Sequence, residues 1–280
     1  VHGNGGTVAV ARRGDHRDRR VSAYAQGVFT AEGPTFRELA VQALSSVERG
    51  YDLLAPTFDH TPFRTPDRVL DATAEALAGL GPFDAGLDVC CGTGAGIGVL
   101  RQLCRERVTG TDVSAGMLAG ARRAHAGART PAVDLVRADA RALPFDAAYD
   151  LAVSFGAFGH FLPAERPALF AGVHRALRPG GVFAFPVGAP PRPSSPLYWA
   201  ALGFDAGMRV RNALWRPRFV MYYRTFPLGG VRTDLARAGF RVGLLPLEHF
   251  GRRPDGSPRA RLVVARKGAP PRPSGSGARA

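Results

Sequence analysis

Apolar positions recur every three or four residues in FRELAVQALSSVERGYDLLA (36–55) and again in PDRVLDATAEALAGL (66–80), which predicts two amphipathic helices. From residue 85 the pattern changes, and short apolar runs alternate with helical ones. AGLDVC (85–90) is followed by a helix from about 95 to 106, and RVTGTDV (107–113) by a helix from 114 to about 125. AVDLVRAD (132–139), DLAVSF (150–155), a helix over 164–177 and GVFAFPV (181–187) continue the series. LARAGF (235–240) and ARLVVARK (260–267) read as a closing helix and final strands. Apolar strands separated by helices predict an α/β fold with a mostly parallel sheet covered on both faces. Ligands of such sheets bind beyond the C-terminal strand ends, where the strand order reverses.

Composition narrows this picture. A chain of 280 residues, 45% apolar, can bury one large core, or one core with a small cap. Three cysteines cannot build a disulfide framework, and no early stretch joins a basic start to an apolar run of signal-peptide length. Apolar runs such as 151–162 are too short and too Gly-rich to span a bilayer. A cytoplasmic protein without a membrane partner is therefore expected. The net charge of +14 resembles a nucleic-acid signal until it is located. Residues 1–20 hold five Arg against Asp15 and Asp18, and residues 251–280 hold seven Arg and Lys267 against Asp255. The excess sits in the ends, so a nucleic-acid partner is not expected.

Those ends also suggest boundaries. Residues 1–33 lack periodic apolar spacing and 268–280, GAPPRPSGSGARA, are Pro/Gly/Ser-rich, so both are expected to be disordered. Residues 34–80 form a helical cap, 81–267 the main domain, and 188–228 an insertion within it.

The stretch LDVCCGTGA (87–95) lies in the turn after the first strand, where a ligand is expected. Adjacent Cys90 and Cys91 lack CxxC spacing and have no Cys or His cluster nearby, so no metal is expected and the pair reads as small side chains at a strand end. A dinucleotide fingerprint fails: read from Gly92 its third glycine falls on Ile97, and read from Gly94 it falls on Val99. A phosphate loop fails too, because it needs a lysine. What remains is a glycine turn flanked by two carboxylates, Asp88 on the first strand and Asp112 at the end of the second. A pyrophosphate gains nothing from an anion at Asp88, whereas a ligand with an ammonium group and a ribose finds two acceptors there. S-adenosylmethionine fits that description.

Four segments carry a resemblance: LDVCCGTG, then GTDVSAGML (110–118), RADARALPF (137–145) and LRPGG (177–181). Together, in this order and spacing, they resemble the class I S-adenosylmethionine-dependent methyltransferases of the small-molecule branch, over about residues 84–187. The resemblance implies a Rossmann-like, seven-stranded sheet with an antiparallel last strand, an N-terminal helical cap and a lid inserted after the fifth strand. It implies the following roles. Asp88 engages the amino group of the methionine end through water or backbone, and the Gly92 to Gly94 turn lies against the cofactor. Asp112 accepts from the ribose hydroxyls, although Asp112 ahead of Ser114 also suits a helix cap. Met117 packs on the adenine, Asp139 accepts from its exocyclic amine with Ala140 donating beside it, and Phe155 faces the methyl-donor end. Tyr51 covers the cofactor from the cap. Cys90 departs from the family, where Gly is usual.

A sulfonium methyl is already activated, so alignment of the acceptor does most of the catalysis. His160, in SFGAFGHF after the fourth strand, is the candidate base, with packing at a strand-to-helix junction as the alternative. Aromatic residues in the insertion, Tyr198, Trp199, Trp215 and Tyr222 among them, are candidates to hold an apolar or aromatic acceptor. The expected activity is methyl transfer to an O or N atom of a small molecule by a monomer or homodimer. An RNA or protein methyltransferase and a non-catalytic S-adenosylmethionine-binding protein are the alternatives.

Overall fold

β1 (Phe83–Val89) is buried along nearly its whole length because it lies inside the sheet with a parallel neighbour on each side. In the computed structural model, which describes residues 33–61, 63–127, 130–224 and 226–268, it is joined by six further strands. These are β2 (Cys104–Asp112), β3 (Ala132–Arg137), β4 (Tyr149–Val153), β5 (Leu177–Gly188), β6 (Phe240–Pro246) and β7 (Ala260–Lys267). The order is β3-β2-β1-β4-β5-β7-β6, with β7 antiparallel to both β5 and β6 and the other pairings parallel. The strand order reverses between β1 and β4. The segments expected to be disordered lie outside the described residues except for Gly33 and Gly268.

Eight α-helices are described: α1 (Phe36–Leu44), α2 (Val47–Leu54), α3 (Asp67–Ala78), α4 (Ala95–Leu103), α5 (Ala115–Ala124), α6 (Arg166–Ala176), α7 (Pro196–Leu214) and α8 (Leu228–Arg237). The period of two along β5 sorts the core into two clusters. Phe183 and Phe185 pack with Leu169, Phe170 and Val173 of α6 and Val231 and Leu235 of α8, while Val182 and Ala184 pack with the cluster holding Leu77, Ile97, Leu100 and Leu118 of α3, α4 and α5. Both sheet faces are thus covered, as the continuous apolar strands require.

Several elements differ from the sequence pattern, β2 among them, which begins at Cys104 where a helix is expected to continue. The single helix expected over 36–55 is two helices, because each has its own cap: Thr35 and Glu38 form a reciprocal capping box, and the Ser46 hydroxyl accepts from the Arg49 amide at 3.3 Å. β5 begins at Leu177, where it pairs with Tyr149, and α8 begins at Leu228, well before LARAGF. No helix among the described residues is long and apolar enough to cross a membrane.

Candidate cofactor and acceptor site

Between β1 and α4 the chain turns through left-handed backbone at Cys90 (φ 60°), Gly92 (φ 53°) and Gly94 (φ 95°). At Cys90 this conformation costs about 1–2 kcal/mol, since the residue carries a Cβ. The Gly92 amide donates to Asp112 Oδ2 at 2.9 Å, and the Ser114 amide donates to Oδ1 at 2.9 Å. One carboxylate at the end of β2 therefore fixes both the glycine turn and the start of α5. Burial pushes the Asp112 carboxyl up, and the amides of Ser114 and Gly92 pull it back. Ser114 itself caps α5, its hydroxyl accepting from the Met117 amide at 3.1 Å.

Asp88 lies beneath this turn, 1% exposed, and neither of its oxygens makes a full hydrogen bond. Burial, then the charge of Asp112, pushes it well above the usual carboxylate range; the Ile97 amide, at the start of α4, acts in the opposite direction. Its carboxylate sits so close to the first turn of α4 that a Cβ at Gly96 would stand 2.4 Å from Asp88 Oδ2 and 2.7 Å from the Phe155 ring. Gly96→Ala is accordingly expected to destabilise the fold by about 1–3 kcal/mol, as overpacking does. Thermal unfolding checks this, and an unchanged midpoint would show that Asp88 is not locked against α4.

A cavity of about 410 Å³, within the range of small-molecule sites, opens above the turn. Its walls include Tyr51, Gly92, Asp112, Met117, Asp139, Ala140, Phe155 and His160, all of them residues singled out in the sequence. Asp88 and Gly94 do not line it. Asp88 packs against the first turn of α4, and a Cβ on Gly94 would stand 2.8 Å from Nε2 of His125, which contacts the Gly94 carbonyl at 2.9 Å. Asp139 reaches the cavity wall with its carboxylate already engaged, since the Arg141 guanidinium contacts both oxygens at 2.6–3.0 Å and the Arg141 amide donates to Oδ1. That pairing holds the carboxyl below its ordinary value. Arg141 in turn pairs with Glu165.

The cap is fixed to the site by carboxylates. Asp52 of α2 accepts from the Ser114 hydroxyl at 2.6 Å and the Gly116 amide at 2.8 Å, and Asp59 accepts from the Thr93 hydroxyl at 2.6 Å. This places Tyr51 over the cavity, where its hydroxyl meets His160 Nε2 at 2.7 Å, the two rings edge to face at 5.1 Å. His160 Nδ1 lies 2.6 Å from the Val220 carbonyl. A carbonyl can only accept, so Nδ1 carries the proton, and in the neutral ring Nε2 is left to accept from the Tyr51 hydroxyl. Burial pushes His160 down, partly offset by the Val220 contact. Burial, followed by the charge of Asp112, pushes the Tyr51 phenol up.

Burial of neutral His160 has a sign for stability. The unfolded chain takes up a proton that the folded one refuses, so stability falls as pH drops through the ordinary histidine range. Chemical unfolding above and below that range should show the loss, and His160→Gln should reduce it; an unaltered slope would mean that His160 is not buried neutral.

The insertion behaves differently from its expectation. Tyr198, Trp199, Trp215 and Tyr222 stand outside the cavity walls. Trp199 and Trp215 are 61% and 54% exposed, and the Tyr198 hydroxyl accepts from Arg224 at 3.1 Å. Tyr222 is buried, its hydroxyl accepting from Asn212 at 2.9 Å. The physical reason is the orientation of α7, which turns Asp205 and Asn212 inward to bond the returning chain: Asp205 accepts from the amides of Tyr223 and Arg224, and Asn212 pairs with the Phe219 backbone. Among the described residues of this segment only Arg218 and Val220 reach the cavity wall. Phe58, Phe63 and Phe161 also line it. The aromatic flanks of TFDHTPF were a usable sequence signal for the first two; the main-chain carbonyl of Val220 left none.

The thiols do not suggest a second chemistry. Burial, reinforced by neighbouring carboxylates, pushes Cys90 and Cys91 well up, so both stay protonated and poor as nucleophiles or ligands.

Fold, glycine turn and paired strand-end carboxylates are those of a class I S-adenosylmethionine-dependent methyltransferase domain, and the family match falls on the segment that carries them. Residues 87–181 match the family model described as a methyltransferase domain. An uncharacterized methyltransferase of Synechocystis sp. is 33% identical over 131 residues, covering 46% of this chain and 58% of its own length. The phthiotriol/phenolphthiotriol dimycocerosates methyltransferase of Mycobacterium tuberculosis is 39% identical over 101 residues, 35% of this chain and 36% of that protein. The matches thus span between about a third and three fifths of those relatives. Among solved structures, magnesium protoporphyrin IX methyltransferase from Synechocystis shares the fold, with a TM-score of 0.51 and 16% identity over 90% of this chain and 96% of that one.

Proposed function

We propose that this protein moves a methyl group from S-adenosylmethionine to an oxygen or nitrogen of a small, apolar or aromatic acceptor. The observation that carries the reading is a proton-accepting chain, Tyr51 to His160 to the Val220 carbonyl, in the wall of the same cavity as the Asp112 carboxylate.

The residues present fit the cofactor. Asp112 keeps an unused lone pair on each oxygen after accepting one amide apiece, enough for a ribose diol. A Cβ on Gly92 would meet no protein atom within 4 Å, so the main chain is open to close approach there. Met117 and Ala140 offer apolar surface to an adenine, and Asp139 stands in the same wall, where Arg141 must yield one of its contacts for the carboxylate to accept from the amine. Asp88 does not line the cavity, so any action on the methionine end passes through its packing against the start of α4. When bound, S-adenosylmethionine supplies an electrophilic methyl on a sulfonium.

The protein's part is to align the acceptor and receive its proton. An acceptor hydroxyl or N–H against Tyr51 gives its proton to the phenol oxygen as the phenol proton passes to His160 Nε2, leaving an imidazolium held by Val220. The raised phenol means that Tyr51 conducts the proton without resting as phenolate. Phe58, Phe63, Phe155 and Phe161 form an apolar wall that favours a small ring or hydrocarbon over a phosphate backbone.

Calorimetry with S-adenosylmethionine, followed by methyl-release assays on phenols, alcohols and amines beside an RNA panel, tests the reading. Binding with turnover on a small acceptor supports it. Turnover on RNA alone, or binding without turnover on any panel, overturns it in favour of the corresponding alternative.

A further inference from the structure

The long helix of the insertion is turned inside out. Along α7 the buried positions are Asp205 and Asn212, while Trp199, Gly203, Ala206, Val210 and Leu214 follow one another at three- and four-residue steps on the exposed side. Leu214 is 80% exposed, Val210 59% and Trp199 61%. Ala200, Gly207 and Ala213 fill the spaces between them, so this face carries no charge along its length. A solvent-facing helix ordinarily shows the reverse arrangement. At its C-terminal end Trp215 is also exposed, and Arg211 donates to the Ser45 carbonyl at 3.3 Å, which sets that end beside exposed Leu44 of α1.

Charge within the insertion is almost all of one sign. Residues 189–224 hold six Arg and one acid, and that acid, Asp205, is 4% exposed and used by backbone amides. Arg216 and Arg209, the latter with its guanidinium over the Tyr222 ring, make no ion pair with a described acidic side chain. A second copy of the chain placed on this face would bring these guanidiniums near their own equivalents. An anionic lipid surface instead offers hydrocarbon to the apolar stripe, an interface to the tryptophans and phosphates to the arginines.

We infer that α7 is a membrane-interface helix, lying on the surface of an anionic bilayer. The segment just after it supplies Arg218 and Val220 to the cavity wall, so the docked face adjoins the site. The sequence-based expectation of no membrane partner concerned spanning length, a criterion that an interfacial helix does not need to meet.

Trp199 and Trp215 are the only tryptophans in the chain, so intrinsic emission reports on this face alone. The protein is mixed with vesicles of phosphatidylcholine, with and without phosphatidylglycerol as the anionic lipid. The expected result is co-sedimentation and a blue-shifted emission with the anionic vesicles only, weakening with salt. Val210→Ser with Leu214→Ser alters two exposed positions and no charge, and should weaken partition about tenfold or more with unchanged thermal stability. Absence of sedimentation overturns the inference. Sedimentation without an emission shift, or undiminished in the double variant, would assign binding to the basic ends and overturn it as well. A dimer by light scattering that the double variant dissolves, without vesicle binding, would give the face to a second copy.

Discussion

Asp112→Ala is expected to weaken S-adenosylmethionine binding about tenfold or more, a loss of about 1.4 kcal/mol. Two effects add. The variant removes the charged acceptor proposed for the ribose, worth about 1.5–3 kcal/mol. It also frees the Gly92 and Ser114 amides, so the turn and the start of α5 lose their common anchor. Asp112→Asn separates them, because its carbonyl oxygen can still hold one amide while the charge is gone. Isothermal titration measures both; an unaltered dissociation constant in Asp112→Ala would remove the ribose assignment and with it the orientation of the cofactor.

The second large effect is expected at the Tyr51–His160 pair. Tyr51→Phe keeps the ring over the cavity and deletes only the hydroxyl, and should lower kcat by about 100-fold, the range of general acid–base catalysis, for an acceptor that must lose a proton. His160→Ala should lower it at least as far. Cofactor affinity should stay within about threefold in Tyr51→Phe, because nothing assigned to the nucleoside is altered. The pH profile carries the sign: since burial holds His160 below the ordinary histidine value, the acid limb of kcat should fall below that value too. A kcat independent of both substitutions, or an acid limb that survives in His160→Ala, would reduce the pair to packing.

How far the chain could be read in advance depends on the range of the interactions. The strand and helix alternation from 85 to 187 was legible because buried parallel strands must be apolar throughout, and each element announces itself over a few residues. Asp112, Gly92 and Met117 were legible because they sit at fixed positions relative to strand ends. The split between α1 and α2 was available in Ser45 and Ser46 but masked by the continuous apolar period. The insertion was misread for a different reason. Its aromatic richness suggested pocket walls, yet the facing of a helix depends on what its polar residues find to bond, and Asp205 and Asn212 found the backbone of the chain returning past the helix end.

The contact that orients His160 comes from the peptide carbonyl of residue 220, not from a side chain. Whatever amino acid occupies that position, the same group is there to select the tautomer. Under the proposed chemistry, side chains along the returning strap are therefore at liberty to vary toward new acceptors while the direction of proton flow stays constant, so that molecular recognition and acid–base chemistry can diverge independently within one loop.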